Sequence, residues 1–297
     1  MTMCRNNLKD KAKTKAILRY DLIQQSVIQG SVQMYREAIK KISVLSPKAS
    51  QQAVEKILSL EEHWDCPNND YFFTVGAFSA REFFDKNGVV APDRRDVYDF
   101  YHNIRTSINP VLSENFKDMY ESIRAGLETA LGKKVLYAAD DIGLPGFQIL
   151  GPSPQQKLMP KEVVEHLATL DGWSNFHVDT PYLPHTSFWQ RFKTADLNNA
   201  LTFTLSLQLP QSGSGLDVWK NPGDTEAGNQ FNGTPSADAQ KVITDYEFVP
   251  YQTGHLTYFT GHVIHRVAGR HRLLCDDRRI TVQGHGVKCD DTWYLYN

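Results

Sequence analysis

The chain reads Asn-Phe-His-Val-Asp-Thr at residues 175–180, which places a histidine and an aspartate two residues apart. Residues two apart in a β-strand point to the same face of the sheet, so we expect His177 and Asp179 to share one face. An imidazole and a carboxylate on neighbouring corners of a metal ion form part of a three-ligand set that a second histidine completes. The stretch therefore predicts a strand that carries two metal ligands.

The third ligand is predicted to be His265, in the stretch Gly-His-Val-Ile-His-Arg-Val at residues 261–267. Strand alternation sends His265 inward and its two neighbours outward. His262 is the competing candidate, but it follows a glycine in an expected turn. The long separation between Asp179 and His265 leaves room for several strands, so we expect the second histidine to arrive from a different part of the sheet structure.

A His-x-Asp tripeptide is a weak signal by itself, because roughly one is expected by chance in a chain of this composition. A second copy is His63-Trp64-Asp65. It lies at the expected end of a helix, and no strand-rich region immediately follows it. The context therefore favours residues 177–179 over residues 63–65.

Residues 278–281 read Arg-Arg-Ile-Thr, shortly after the expected third ligand. On a strand, Arg279 and Thr281 would share one face and Arg278 would point the other way. A guanidinium is a planar, two-pronged donor that suits a carboxylate. The pair predicts a site for a dicarboxylate co-substrate; the alternative is that Arg279 pairs with the acidic residues 276–277.

The composition limits the partners of the chain. It has 297 residues, a net charge of −2 and a pI near 6.5. That length suits one large domain or a core with an elaboration. The absence of a global basic field argues against nucleic acid as a partner, and no apolar run approaches the length that spans a membrane. We expect a small-molecule substrate, and the sequence does not decide the oligomeric state.

Four cysteines, at positions 4, 66, 275 and 289, form no C-x-x-C pair. The first seven residues lack the apolar core of a signal peptide. A reduced, cytoplasmic protein is the simplest expectation.

The sequence pattern changes near residue 132, from helical periodicity to short strand-like runs. Residues 1–132 are predicted to be mainly helical, with helices over 8–42, from a cap at Ser50, over 95–107 and over 111–131, the last closed by Gly132. Residues 133–297 carry short β-branched or aromatic runs separated by turn residues. The predicted strands are 135–138, 146–150, 176–179, 201–209, 216–219, 246–249, 255–259, 263–267, 279–283 and 292–296.

These residues resemble the Fe(II)/2-oxoglutarate-dependent dioxygenase superfamily, in its branch that acts on small molecules. The similarity covers roughly residues 145–297 and consists of matches in the right order. They are the strand 147–149 before the metal motif, His177-Val178-Asp179, the strand 201–209 with the Gly-rich turn and strand 212–219, the run Pro250, Gly254 and Phe259 before His265, and Arg279-Ile280-Thr281.

The resemblance implies an α+β fold with a double-stranded β-helix core (a jelly roll, as in cupins) and a helical N-terminal region packed outside it. It implies Fe(II), 2-oxoglutarate and O2 as reagents. His177, Asp179 and His265 would bind the metal, and Arg279 with Thr281 would bind the co-substrate. Gln148 and Ser206, on strands expected to face the cavity, are weaker candidates for further polar contacts with it.

Two other function classes fit the same residues: a cupin-like metal-binding protein without oxygenase activity, and a Zn-dependent hydrolase. For an oxygenase, we expect the substrate to be a small metabolite such as an amino acid or a natural-product intermediate. Residues 221–239, rich in Gly, Asn, Asp, Ser and Thr, are predicted to form a long loop that serves as a lid.

Overall fold

A computed structural model of the chain describes residues 39–66, 71–77, 97–169, 177–179, 185–219, 246–261, 263–269 and 273–297. The helices in these ranges are α1 (Pro47–Leu58), a short 3-10 helix (Glu61–His63), α2 (Val97–Asn103), which continues through a π-helix (Ile104–Ile108) into α3 (Asn109–Leu131), α4 (Lys161–Thr169) and α5 (Thr186–Trp189). The strands are β1 (Lys40–Ser43), β2 (Phe72–Val75), β3 (Lys134–Tyr137), β4 (Gly146–Leu150), β5 (Ala195–Gln208), β6 (Gly215–Trp219), β7 (Tyr246–Pro250), β8 (His255–Thr260), β9 (His265–Val267), β10 (Arg279–Cys289) and β11 (Thr292–Tyr296).

The strands form two sheets. The large sheet has the order β1-β8-β5-β10-β11-β3, and β4 pairs with the first half of β10 while β2 pairs with β4. The small sheet has the order β7-β6-β9. The named strands pair antiparallel throughout, except for β11 with β3. The molecule is thus a mixed α/β protein built mainly on antiparallel sheets.

One face of the large sheet packs against the helices. Alternate residues of β5, such as Leu201, Phe203 and Leu205, belong to the same buried apolar cluster as Leu112 and Ile123 of α3. Helix α3 ends at Gly132, which adopts a left-handed backbone with φ 63°. The C-terminal signal predicted at that glycine is confirmed.

The opposite face of the large sheet is polar along β5 and β10. Thr202 pairs with His285 across the two strands, and Ser206 pairs with Thr281. The small sheet lies against this face, because Phe259 of β8, the partner of Thr202, belongs to a second apolar cluster with residues of β6 and β7. Polar side chains are therefore enclosed between the two sheets.

The predicted strands from residue 135 onward agree with the observed ones within a few residues. The main differences are that β5 begins at Ala195 and that β10 continues to Cys289, six residues beyond the predicted end. Only residues 177–179 of the predicted strand 176–179 are described; of these, His177 forms an isolated bridge.

The first part of the chain departs from the prediction. Residues 40–43 form a strand and not the end of a helix, and the rest of the predicted helix 8–42 lies outside the described residues apart from residue 39. Ser46, and not Ser50, caps α1: its side chain accepts a hydrogen bond from the N–H of Ala49. Ser50 lies within α1, beyond its N-cap, and is buried. Strands β1 and β2 were not predicted, and both join the large sheet.

The predicted loop 221–239 also lies outside the described residues. Among the helices of the described ranges, none is long and apolar enough to cross a membrane.

Candidate metal and co-substrate site

The two histidines of the predicted triad are neighbours through their backbones. The N–H of His177 donates to the carbonyl of His265 at 2.8 Å, and the N–H of His265 donates back at 3.0 Å. This antiparallel bridge attaches residues 177–179 to β9 and the small sheet. The two imidazole rings lie 4.6 Å apart, centroid to centroid.

Asp179 completes the cluster. Its Oδ1 lies 3.4 Å from Nε2 of His177, and its Oδ2 lies 3.3 Å from Nε2 of His265. One ligand atom from each of the three residues falls within 4.8 Å of the others, so the group can hold one metal ion. The side chains are 40% exposed at His177, 12% at Asp179 and 4% at His265, so the cluster is reached from the side of His177.

His265 is oriented by its other ring nitrogen. Nδ1 lies 2.9 Å from the carbonyl oxygen of Val263. A carbonyl oxygen only accepts, so Nδ1 carries a hydrogen, and Nε2 is the ring nitrogen that faces Asp179. Nε2 is therefore the atom that this ring can offer to a metal ion.

The carboxylate of Asp179 is held in its ionised form. Burial alone would raise the pKa of Asp179, but the charge of His265 and hydrogen bonds with His177 and His265 hold the pKa well below its usual range. Thr202 also contacts this carboxylate, with its hydroxyl 3.0 Å from Oδ2. An ionised carboxylate is the form that binds a cation.

Behind Thr202 lies His285, whose Nδ1 is 3.3 Å from the Thr202 hydroxyl. Burial lowers the pKa of His285 to about 4, so its ring is neutral at pH 7. Neither residue was identified from the sequence. The signal for His285 was present, because it continues the alternation of Arg279 and Thr281 beyond the predicted end of the strand.

Arg279 is 3% exposed and lies on the polar face of the large sheet. Within the part of the chain that the structure describes, no carboxylate pairs with its guanidinium, and its Nε has no hydrogen-bond partner. Burial lowers the pKa of Arg279, which reflects the cost of holding this charge away from water. The acidic residues predicted as alternative partners act elsewhere. Asp277 accepts from the N–H groups of Leu274 and Gln211, and the charge of Asp276 acts on the neighbouring Arg278.

The hydroxyls of Thr281 and Ser206 are also buried and have no hydrogen-bond partner among the described residues. Thr281 and Ser206 are cross-strand neighbours, and Thr281 lies two residues from Arg279 on the same strand. Buried polar groups in folded proteins are normally bonded, so unpaired ones that cluster beside a guanidinium indicate a place for a polar ligand. All three groups can donate a hydrogen bond, and a carboxylate is a group that only accepts.

Gln148 pairs with Thr281 across β4 and β10, on the side away from Ser206. Its side-chain amide is hydrogen-bonded to the side chain of Gln283. Tyr251, which the sequence did not single out, places its ring 5.6 Å from the guanidinium carbon of Arg279. The structure therefore brings Arg279, Thr281, Ser206 and Gln148 to one region of the polar face.

The sequence offered two other histidines as candidates. His262 falls outside the described residues. His63 belongs to the short 3-10 helix, where its Nε2 is 3.7 Å from a carboxylate oxygen of Glu62, and it takes no part in the metal-ligand cluster.

No family model matches the chain, and no curated protein matches it significantly. Among solved structures, the chain is similar to the non-haem α-ketoglutarate-dependent epimerase SnoN from nogalamycin biosynthesis, with 12% identity and a TM-score of 0.41 over 90% of this chain and 85% of that one. It is also similar to an N-substituted L-amino acid dioxygenase from Burkholderia ambifaria, with 14% identity and a TM-score of 0.40 over 84% and 91% of the two chains. AviO1 from Streptomyces viridochromogenes gives 14% identity and a TM-score of 0.40 over 88% and 93%. Similarities of this size do not decide a function, which depends on the geometry of the site.

Proposed function

We propose that this protein is an Fe(II)- and 2-oxoglutarate-dependent oxygenase that hydroxylates, or otherwise oxidises at a C–H bond, a small metabolite. The observation that carries the proposal is the buried guanidinium of Arg279, without a carboxylate partner among the described residues, in the same inter-sheet space as the cluster of His177, Asp179 and His265. A cluster of metal ligands alone is compatible with many functions. A binding site for a carboxylate beside such a cluster is compatible with few.

The donor set fits ferrous iron. Two imidazole nitrogens and one carboxylate oxygen form the facial set of non-haem Fe(II) oxygenases, which leaves three coordination positions open. His177, Asp179 and His265 would hold the metal, with His265 fixed by its bond to the carbonyl of Val263. When bound, Fe(II) supplies the activation of O2 that is coupled to conversion of 2-oxoglutarate into succinate and CO2.

The residues on β10 and its neighbours fit the distal carboxylate of 2-oxoglutarate. Arg279 would pair with it through its planar fork, and the hydroxyls of Thr281 and Ser206 would donate to it. Gln148 is the weaker candidate, because its amide already bonds to Gln283. Together these groups would orient the co-substrate and neutralise its charge inside the protein.

The fold that suits this chemistry is a double-stranded β-helix, and we propose it for the core. It is supported by a large and a small antiparallel sheet with polar residues of β5 and β10 enclosed between them. The division into a region 1–132 and a catalytic domain 133–297 remains a prediction, with β1 and β2 of the first region belonging to the same sheet as the second.

The burial of the cluster favours a small substrate. Asp179 and His265 are largely enclosed, and access is from the side of His177. An amino acid or a natural-product intermediate suits such a site. The N-substituted amino acids named for the similar dioxygenase are reasonable first compounds to test.

The two competing function classes do not account for Arg279. A metal-binding protein without oxygenase activity and a Zn-dependent hydrolase both need only the three metal ligands. Neither needs a buried guanidinium that has no carboxylate partner among the described residues, and burying such a charge costs several kcal/mol unless a ligand compensates it.

The decisive experiment measures succinate formed from 2-oxoglutarate by the protein loaded with Fe(II) under O2. We expect turnover above that of free Fe(II), even without a second substrate, and its loss in Asp179→Ala and His265→Ala. A matched control is His255→Ala, which removes a β8 histidine whose Nδ1 contacts the carbonyl of Thr253 and which takes no part in the cluster. A mass gain of one oxygen atom in a screened metabolite would then identify the substrate.

Absence of succinate from the wild-type protein, with metal bound, would reject the oxygenase proposal. Ester or amide hydrolysis by the Zn-loaded protein would favour the hydrolase in its place. If the His265→Ala variant turned over like wild type, the metal assignment would fail and His262 would become the candidate ligand.

A further inference from the structure

A chain of hydrogen bonds runs from the metal-ligand cluster into the large sheet. The hydroxyl of Thr202 lies 3.0 Å from Oδ2 of Asp179 and 3.3 Å from Nδ1 of His285. Thr202 on β5 and His285 on β10 are direct cross-strand partners. All three side chains are buried or nearly so, so water does not compete freely for these bonds.

The chemistry of the three groups fixes the direction of both bonds. Ionised Asp179 only accepts, so the single hydroxyl hydrogen of Thr202 points to Oδ2. The Thr202 oxygen can then only accept from His285, so Nδ1 of His285 carries its hydrogen. The order of donation is His285 to Thr202 to Asp179.

We propose that Thr202 and His285 are positioning residues that hold Oδ2 of Asp179 by a hydrogen bond, which would leave Oδ1 as the oxygen available to a metal ion. This inference rests on the metal site of the proposed function. The Thr202 hydroxyl donates to Oδ2 from the side of the large sheet. The hydrogen bond from His285 to the Thr202 oxygen keeps this hydroxyl from rotating away. The carboxylate would thereby serve as a one-oxygen ligand.

A one-oxygen ligand keeps the coordination sphere open. If both oxygens of Asp179 bound the ion, the carboxylate would take a position that a bidentate co-substrate and O2 need. The three open positions of the facial set therefore depend on Thr202 as well as on the ligands. Hydrogen-bonded partners of ligating carboxylates commonly set both ligand orientation and metal affinity.

The sheet gives the arrangement its rigidity. Thr202 is paired with His285 on one side and with Phe259 on the other, so its backbone is fixed by two ladders. The ring of His285 packs near that of Tyr296, with centroids 6.0 Å apart. The hydroxyl can hold Asp179 at a constant position because its own strand is central in the sheet.

The test uses Co(II) as the only added metal, with its dissociation constant measured by competition with a chelator. We expect Thr202→Val to weaken Co(II) binding by about 10- to 100-fold, the usual effect of removing a hydrogen-bonded partner of a ligand. Thr202→Ser keeps the hydroxyl and should stay close to wild type. His285→Phe keeps a ring but removes the donor, and should give an intermediate loss.

A second measurement separates positioning from general stability. Infrared difference spectra of the Co(II)-bound protein report the separation between the two carboxylate stretches, which is large for one-oxygen binding and small for two-oxygen binding. We expect the separation assigned to Asp179 to shrink in Thr202→Val and to be restored in Thr202→Ser. The matched control is Thr257→Val, which removes a buried hydroxyl of the same sheet that has no hydrogen-bond partner in the described ranges.

The outcomes are distinct. Wild-type affinity and an unchanged carboxylate separation in both Thr202→Val and His285→Phe would overturn this inference while leaving the metal site intact. Failure of the wild-type protein to bind Co(II), or equal binding by Asp179→Ala, would overturn the metal site and the inference together. If Thr202→Val does not fold, the infrared comparison of His285→Phe with wild type decides the question.

Discussion

At the scale of single residues, the candidate site contains polar groups that are hydrogen-bonded and others that are not. Asp179 and His265 have bonds that fix their position. Arg279, Thr281 and Ser206 have buried atoms with no hydrogen-bond partner among the described residues. Burying a guanidinium without a carboxylate partner is costly, which supports the proposed binding of an anion at this part of the site.

Arg279→Ala should therefore weaken the binding of 2-oxoglutarate to the metal-loaded protein. The loss of a buried, hydrogen-bonded charge pair is worth about 3–5 kcal/mol, or roughly two to three orders of magnitude in Kd. Arg279→Lys should recover part of the affinity, because it keeps the charge without the planar fork. Calorimetric titration of 2-oxoglutarate into the Co(II) form measures both.

The control for this prediction is Arg278→Ala. The side chain of Arg278 donates to the carbonyl of Pro152, away from the candidate site. An unchanged Kd in Arg279→Ala, or an equal loss in Arg278→Ala, would contradict the assignment of the co-substrate site.

At the scale of elements, strand alternation sorts the large sheet into an apolar and a polar face. On β10, Ile280 and Val282 belong to the apolar cluster, while Arg279 and Thr281 point to the site. The same division holds on β4, where Ile149 is in the core beside Gln148. Each strand thus supplies core and site residues at the same time, and any shift of register would exchange them.

Gly146 at the start of β4 is required by a close approach of backbone to backbone. A Cβ there would lie 2.2 Å from the N of Ala77 and 2.3 Å from the carbonyl carbon of Gly76. We expect Gly146→Ala to destabilise the protein by more than about 2 kcal/mol, because main chain cannot move aside as a flexible side chain does. Gly132→Ala meets no atom within 4 Å and carries only the strain of its φ of 63°, about 1 kcal/mol.

Urea unfolding of the two glycine variants gives the comparison. A loss in Gly146→Ala no larger than that in Gly132→Ala would show that β2 and β4 separate easily. The two strands would then be a poor support for Gln148.

At the scale of the whole molecule, the first part of the chain adds two strands to the large sheet and covers its apolar face. Strand β1 extends one edge, β2 pairs outside β4, and α3 packs on the core side. The site lies on the opposite side of the same sheet. Helices in the first part therefore stabilise the strands that carry the site without contributing the proposed ligands.

Protonation of a histidine outside the candidate site should lower the free energy of unfolding as the pH falls. His185 contacts the ring of Tyr101 at 4.4 Å, centroid to centroid, and burial lowers the pKa of His185 to about 3. The unfolded chain binds a proton at this residue near pH 6.5 and the folded protein does not. The free energy of unfolding therefore decreases as pH falls from 6.5 toward 3, by up to about 1.4 kcal/mol per pH unit from this group.

His185→Phe keeps a ring against Tyr101 and removes the titrating group, so its free energy of unfolding should depend less steeply on pH between 6.5 and 4. Urea unfolding of the metal-free protein at pH 7, 6, 5 and 4 measures the slope. His166→Gln, which replaces an exposed histidine of α4, serves as the control. Equal slopes in His185→Phe and wild type would mean that His185 binds its proton in the folded protein.

The sequence by itself predicted most strands of the second half, and it predicted which site residues share a face, although His177 forms only an isolated bridge and no strand. Alternation places His177 with Asp179 and Arg279 with Thr281, because the two-residue period of a strand is a local property of the backbone. The helix 109–131 and its termination at Gly132 could also be predicted, because helical periodicity and capping are local properties of the sequence.

The tertiary structure alone decided which of these strands meet. The contact of Thr202 with Asp179 and His285, the pairing of Ser206 with Thr281, and the addition of β1 and β2 to the large sheet depend on register between segments far apart in the chain. Register is fixed by the burial of whole faces and by backbone ladders. No residue pattern within one strand carries that information, which is why the cluster of His177, Asp179 and His265 could be predicted and its contacts with Thr202 and His285 could not.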